Sequence, residues 1–511
     1  MKNGVLILDF GSQYTKLIAR RVRELKVYSE IMPFNVNIEE IKNFQPGAVI
    51  LSGGPSSVYG KKSPKIKPEI LGLGIPILGI CYGLQLIAYL FKMKVAPTKN
   101  REYGFANLEI VRISRLLRNV KNNSKVWMSH GDKISQYPED FIVTGKTKNT
   151  EITVIESNKR NIFGVQFHPE VIHTKEGKKI LYNFLFEISN LKPDWNMENF
   201  IKSSITKIKK KVGTQKIMLG ISGGVDSTVL ALLLRKSIGN QLIPVFIDTG
   251  LLRKNEYEDL MDKFKNQLNL NVHGVDASKI FLKNLKKIRS PEGKRKIIGK
   301  TFIDTFRSVE EKIGKINFFA QGTLYPDVIE SNSVSGPSMK IKSHHNVGGL
   351  PKNIKWEIIE PFRELFKDEV REIGKDLGLS EIFINRHPFP GPGLAVRIIG
   401  EIREDKIKKL QSADEILIEE LNNFKIYNKV WQAFVVLLPV KSVGVMGDIR
   451  TYENVVVIRI VESVDGMTAD WYPAPYDFLK KVANRIVNEV KGINRVTYDL
   501  TSKPPGTIEW E

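Results

Sequence analysis

The run Ile75-Pro76-Ile77-Leu78-Gly79-Ile80-Cys81-Tyr82-Gly83-Leu84-Gln85 decides how the chain is read. Its first half is a continuous apolar stretch, the pattern of a strand buried on both faces. Its second half turns sharply beside a glycine and continues as a helix. A side chain at such an elbow is held out of the fold, and the backbone N–H groups at the helix start can receive an anion. Cys81 is also the only cysteine among 511 residues. A thiolate in that position would be activated. On position alone, a core cysteine packed as a small hydrophobe is an equal alternative.

The same strand-then-helix grammar extends on either side. Val5-Leu6-Ile7-Leu8-Asp9-Phe10 reads as a buried strand ending at Gly11-Ser12-Gln13. The helix after it carries Leu17, Ile18, Val22 and Leu25 on one face. Ala48-Val49-Ile50-Leu51 is a further strand, ending at Ser52-Gly53-Gly54-Pro55. Alternation of this kind predicts a mostly parallel α/β sheet with its site at the carboxyl ends of the strands. The pattern breaks at Asn190-Leu191-Lys192-Pro193. It resumes with the strand Lys216–Ile221, the loop Ser222-Gly223-Gly224-Val225-Asp226-Ser227, and a leucine-rich helix from Thr228. A strand over Leu242–Ile247 then ends at Asp248. Three prolines within His387-Pro388-Phe389-Pro390-Gly391-Pro392-Gly393 exclude helix and central strand and predict a rigid connector. Beyond it, strands at Phe434–Leu438 and Val455–Ile460 and a helix within Pro475–Val490 predict a smaller α+β segment. The expected domains are therefore 1–190, 191–387 and 388–511, in line with the length.

Composition bounds the function classes. One cysteine cannot form an intramolecular disulfide, which predicts a reducing, cytoplasmic setting. No signal-peptide pattern or uncharged run of membrane-spanning length occurs, so no membrane partner is expected. The 78 Lys+Arg against 56 Asp+Glu give a net charge of +22. Such a surplus suits nucleic acid or small polyanions. Runs such as Lys207-Ile208-Lys209-Lys210-Lys211 read as solvated helix faces. No RNA-binding motif accompanies them, and no nucleic-acid partner is expected.

A thiolate nucleophile needs a base, and the base needs an orienting group. Phe163-Gly164-Val165-Gln166-Phe167-His168-Pro169-Glu170 offers both. If a strand carries His168, Glu170 shares its face two residues on and can fix the imidazole tautomer. With the elbow and the Ser52-Gly53-Gly54-Pro55 turn, residues 1–190 resemble the class I glutamine amidotransferases. The resemblance implies that Cys81, His168 and Glu170 release ammonia from glutamine through a glutamyl thioester. It also implies an oxyanion hole at the N–H groups of Gly53 and Tyr82, and a glutamine contact at Gln85. Ser129-His130-Gly131-Asp132 matches a family segment, with no catalytic role expected for His130.

The second loop is glycine-rich and opens a helix, which suits phosphate. It lacks the lysine of GxxxxGK[ST]. SGGVDS resembles the pyrophosphate loop of the N-type ATP pyrophosphatases, the adenine-nucleotide α-hydrolase-like fold. That likeness implies ATP contacts at Ser222, Gly223, Gly224, Val225, Asp226, Ser227 and Asp248, with Asp226 as the ligand of Mg²⁺. Sulfur-transfer relatives need further cysteines, which this chain lacks.

Ser290–Lys300, Ala320–Ser331, Ile341–Pro351, Arg363–Val370, the connector and Lys503–Glu511 together resemble the GMP synthetases over essentially the whole chain. The expected fold is an amidotransferase domain, an ATP pyrophosphatase domain and a small α+β dimerisation domain. The resemblance implies XMP (xanthosine 5′-phosphate), ATP and glutamine as substrates, Mg²⁺ as cofactor, and a homodimer. It carries XMP contacts onto Arg295, Gln432, Arg495, Lys503, Ile508 and Glu509. Thr249 stands where relatives have Asn, and Ser290 where they have Asp. His344-His345 lacks the ligand count for a metal site. Two other readings stay open: a basic nucleic-acid-binding protein, and a different ATP-dependent amidase of the NAD-synthetase type.

Overall fold

The computed structural model describes residues 4–60, 63–331, 355–463, 466 and 468–511. Residues 4–199 pack as one compact unit, and residues 200–331 with 355–511 as a second. The expected segment Ile341–Pro351, with His344-His345, lies outside the described residues.

The first unit holds a nine-stranded sheet. Its strands are β1 (Val5–Asp9), β2 (Ser29–Pro33), β3 (Ala48–Leu51), β4 (Ile77–Ile80), β5 (Lys94–Ile110), β6 (Ser124–Gln136), β7 (Ile142–Lys146), β8 (Val154–Ser157) and β9 (Ile162–Val165). Their order is β2-β1-β3-β4-β9-β8-β7-β5-β6. From β2 to β9 all neighbours are parallel. The rest pair antiparallel. The sequence pattern predicted β1, β3 and β4, because those strands are runs of buried residues, but not the partly buried β2.

The elbow rests on one close approach. Helix Tyr82–Leu90 leaves β4 directly, and Gly83 N donates to Ser52 O at 3.1 Å. A Cβ on Gly83 would lie 2.3 Å from Leu51 O. Only a glycine lets the helix start sit against the end of β3.

The second unit holds two sheets. The first contains β10 (Ile217–Gly220), β11 (Leu242–Asp248), β12 (His273–Asp276), β13 (Phe318–Ala320) and β14 (Glu357–Ile359), in the order β12-β11-β10-β13-β14. All are parallel. The chain moves outward from β10 in both directions, so the crevice between β10 and β13 is a topological switch point. The helix after β10 runs Val225–Ile238. It begins three residues before the predicted Thr228, which puts Asp226 in its first turn.

The second sheet has β15 (Gln432–Met446) antiparallel to β16 (Ile449–Glu462), with β17 (Asp470–Trp471) and β18 (Ile493–Tyr498) on the other side of β16. Ala433, Val435, Leu437, Val456, Ile458 and Ile460 pack with Leu417 of helix Glu404–Asn423 and Val482 of helix Tyr476–Glu489. Phe434, Val436, Val457 and Val461 form the opposite face with Ala469 and Ile508. The connector, as expected, has neither helix nor strand before the 3₁₀ turn Gly393–Arg397. Among the described residues no helix is long and apolar enough to cross a membrane.

The Gly83 contact gives a direct test. Gly83→Ala is expected to lower stability by about 1–3 kcal/mol through overpacking, read as a lower urea midpoint. An unchanged midpoint would show that the helix start can move away from β3.

Candidate functional site

Cys81 is the N-cap of helix Tyr82–Leu90 and has φ 51° and ψ −105°. A non-glycine residue in that region is strained and persists only where the surroundings over-determine it. Here they do: Cys81 N donates to Val165 O at 2.8 Å, and Gly83 N is tied to Ser52 O. Cys81 Sγ lies 3.6 Å from Ser129 O and 3.8 Å from Gln166 Nε2. The thiol is thus part of a cluster at the ends of β3, β4 and β9, three adjacent strands of the sheet.

His168 and Glu170 join it by a route the sequence pattern did not predict. Strand β9 stops at Val165, so the two residues do not share a strand face. A turn at Pro169-Glu170 brings the carboxylate back instead, with His168 Nδ1 and Glu170 Oε1 2.7 Å apart. His168 N donates to Trp127 O at 3.0 Å, Thr174 Oγ1 donates to His168 O at 2.6 Å, and Arg21 Nε donates to Glu170 O at 3.0 Å. Tyr14 packs edge-on against the imidazole. Both side chains are buried. Burial pulls the His168 pKa down, but the Glu170 carboxylate and the Cys81 sulfur outweigh it and hold the imidazole above its ordinary value. An imidazolium beside the Glu170 carboxylate is the state this favours.

Gly53 and Tyr82 flank the cluster. A Cβ on Gly53 would sit 3.0 Å from His168 Cε1. Tyr82 opens its helix, where N–H groups have no intrahelical acceptor. Gln85 is buried and donates through Nε2 to Asp132 O at 3.2 Å. His130 Nδ1 lies 2.9 Å from the same oxygen. Burial lowers the His130 pKa. These contacts tie His130 to the wall of the site rather than to the thiol.

In the second unit, Ser222–Ser227 sits at the β10 end of the switch point. Ser222 N donates to Ser227 Oγ at 3.1 Å, and Thr228 Oγ1 donates to Gly224 O at 2.9 Å. Gly223 has φ +72°. Asp226 Oδ2 accepts from Lys367 Nζ at 3.2 Å. Asp226 Oδ1 is buried with no hydrogen-bond partner among the described residues. An orphaned hard oxygen in the first turn beside a glycine-rich loop fits Mg²⁺, which takes one or two carboxylates and completes its shell with phosphate and water. Lys367 lies in the quoted Arg363–Val370 motif, but nothing in the linear sequence pairs it with Asp226.

Asp248 ends β11 and accepts from Gly250 N at 2.8 Å. Burial, with Asp276 and Glu258 nearby, raises its pKa against that hydrogen bond. Thr249 is buried and its Oγ1 accepts from Leu251 N at 3.2 Å. Its hydroxyl thus closes a local turn. Ser290 caps helix Pro291–Ile313, with its Oγ accepting from Gly293 N at 3.2 Å.

Five of the six residues with predicted XMP contacts lie in or against the tail and the elements it packs on. Gln432 Nε2 donates to Glu509 Oε1 at 2.6 Å, and Ile508 is buried in the sheet face below. Arg295 donates to Glu511 O, and Lys503 Nζ donates to Gly466 O at 2.8 Å. Arg495 differs: it is exposed on β18, and its described hydrogen bond goes to Val443 O. Two buried residues were missed. Arg397 forks onto Glu509 at 2.9 and 3.2 Å between the rings of Phe389 and Phe434. Lys294 donates to Ile398 O at 2.6 Å and pairs with Glu511. A cleft of about 740 Å³ adjoins this region, lined by Arg386, His387, Tyr427, Trp431 and Ser502 among others.

Residues 6–188 match the family described as glutamine amidotransferase class-I, residues 196–298 that described as NAD synthase, and residues 419–510 the GMP synthase C terminal domain. The chain is 56% identical over 507 residues to a glutamine-hydrolysing GMP synthase of Brachyspira hyodysenteriae, covering 99% of each. It is 57% identical over 513 residues to that of Chlorobium chlorochromatii, again covering 99% of each. Against that of Carboxydothermus hydrogenoformans it is 54% identical over 511 residues, the full length of both. The chain belongs to the family of glutamine-hydrolysing GMP synthases.

Proposed function

We propose that the chain aminates XMP to GMP, driven by ATP and using ammonia from glutamine, in the cytoplasm. The observation that carries this reading is the union in one chain of a Cys81–His168–Glu170 cluster and an SGGVDS loop at a switch point. In the proposed division, residues 1–190 make ammonia, 191–387 activate XMP, and 388–511 complete its site and pair two chains.

The glutaminase step follows from the cluster. The Cys81 thiolate attacks the amide carbon of glutamine. Negative charge then collects on the former carbonyl oxygen, where the N–H groups of Gly53 and Tyr82 receive it. His168 gives its proton to the leaving nitrogen, ammonia departs, and a glutamyl thioester remains. Water, deprotonated by His168, attacks the thioester, and glutamate departs to leave the Cys81 thiolate and a protonated His168 as at the start. Glu170 holds the imidazole in the orientation both transfers need. Gln85 fixes one wall of the glutamine pocket.

In the synthetase half, O2 of XMP attacks the α-phosphorus of ATP, forming adenyl-XMP and releasing pyrophosphate. Ammonia then adds at C2 and AMP leaves. The amides of Ser222–Ser227 and the helix dipole hold the leaving phosphates. Mg²⁺ at Asp226 Oδ1 would neutralise their charge when bound. Arg295, Arg495 and Lys503 suit the XMP phosphate, whereas Gln432 and Glu509 suit polar base or ribose edges.

The hairpin of β15 and β16 supports the pairing of two chains. Val445 is 73% exposed and Ile449 69%, and Val443 and Tyr452 add to the same apolar end. Patches of this kind mark association sites. A Val445→Glu, Ile449→Glu double variant is expected to sediment as a monomer where the parent sediments as a dimer. A parent that is itself monomeric at micromolar concentration would overturn the pairing.

Cys81→Ala tests the division of labour. Glutamine-dependent GMP formation should vanish while ammonium-dependent formation persists. Loss of both would place Cys81 in the structure rather than the chemistry.

Glu170→Gln tests the imidazolium. Without the carboxylate the His168 pKa falls, so the imidazole loses its proton at lower pH. The alkaline limb of the glutamine kcat/KM profile should move toward neutrality, with activity down about 10²-fold or more. An alkaline limb that stays in place would separate Glu170 from the protonation of His168.

A further inference from the structure

We infer that Arg386 is a positioning residue for the phosphate loop: it fixes the peptide between Gly223 and Gly224, and so aims the Gly224 N–H at the ATP phosphates. This rests on the reading of Ser222–Ser227 as the pyrophosphate loop.

The geometry begins with the carbonyl. Arg386 Nη1 donates to Gly223 O at 2.9 Å across 163 residues of sequence. The C=O and N–H of a trans peptide point in opposite directions. Drawing the Gly223 carbonyl toward Arg386 therefore turns the Gly224 N–H to the other side, where the helix Val225–Ile238 begins. That N–H has only a long contact of 3.3 Å to Ser222 Oγ, so it remains open to a stronger acceptor. Glycine alone leaves this peptide free to flip. With φ at +72°, Gly223 supplies the required bend but cannot itself select one orientation of the plane.

Arg386 is placed firmly enough to select it. Its side chain is 14% exposed and its other terminal nitrogen pairs with Glu256, which is buried. Glu256 in turn accepts from Arg253 N at 2.7 Å. Leu260 fills the remaining space under the loop: a Cβ on Gly223 would lie 2.5 Å from Leu260 Cδ1 and 2.6 Å from Arg386 Nη1. The guanidinium thus packs against the outer side of the loop and grips a main-chain oxygen. It acts on the phosphates through the backbone.

A charged hydrogen bond lost at this point should show wherever the β and γ phosphates are held, and nowhere else. Arg386→Met is expected to raise the KM for ATP and the inhibition constant of pyrophosphate by about tenfold or more. The inhibition constant of AMP, the KM for XMP, and glutamine hydrolysis without nucleotides should stay unchanged. Arg386→Lys, which keeps the charge but loses the fork, should fall between. It also serves as the informative variant if Arg386→Met does not fold. Equal shifts for AMP and pyrophosphate would mean that Arg386 touches the nucleotide directly or supports the whole site, and would overturn the proposal. No shift for pyrophosphate in a folded variant would also overturn it. Asp226→Asn separates this from failure of the underlying reading. If Asp226→Asn weakens pyrophosphate and Arg386→Met does not, only the Arg386 proposal falls. If neither does, the loop is not the pyrophosphate site.

Discussion

The contact between Gly83 and the carbonyl of Leu51 is the constraint on which the Cys81–His168–Glu170 cluster depends. It lets the helix Tyr82–Leu90 start against the end of β3. That start forces the chain through Cys81 at φ 51°, a conformation a cysteine does not choose on its own. The strain is held by hydrogen bonds to β9 and to the turn after β3. The same two neighbours bring His168 and Gly53 to the thiol. Sheet order therefore sets the chemistry: β3, β4 and β9 are adjacent, and each ends in one part of the cluster.

Buried charge is handled in a consistent way throughout the second unit. Arg386 with Glu256, Arg397 with Glu509, and Lys294 with Glu511 are each shielded from water on at least one side. Such pairs gain little net stability over apolar packing, yet breaking one is costly because a charge is left behind. They sit where main-chain direction matters: beside the phosphate loop, under the tail, and at the start of helix Pro291–Ile313.

What could be read from the sequence follows from the range of each interaction. The parallel strands β1, β3, β4, β10 and β11 were legible as continuous apolar runs, and the elbow and SGGVDS loop as dense local patterns, whereas the partly exposed β2 and β12 were not. The His168–Glu170 pairing was legible from spacing, although the cause differs: a turn after the strand, not alternation along it. The antiparallel half of the large sheet was not legible. Strands β5 and β6 are long, with register shifts that break any simple period. Contacts between residues far apart in sequence were invisible. Arg397 reaches Glu509 across 112 positions, and Arg386 reaches Glu256 across 130. An isolated arginine in a sequence resembles a surface charge until its partner is known.

The two loops show why similar turns need different anchors. Both carry the chain from a parallel strand into a helix, and in the proposed function both direct amides toward negative charge. In the proposed reaction the charge at Cys81 is transient, and the reacting atom belongs to the turn itself. The turn must therefore carry a side chain, and its strain is borne by the sheet on either side. At Gly223 the proposed charge is permanent and belongs to the ligand, so the turn needs no side chain. Its glycines let phosphate approach closely, but they remove the steric preference that would fix each peptide plane. Something outside the loop must restore that preference. Arg386 is placed to do so, since it holds the Gly223 carbonyl.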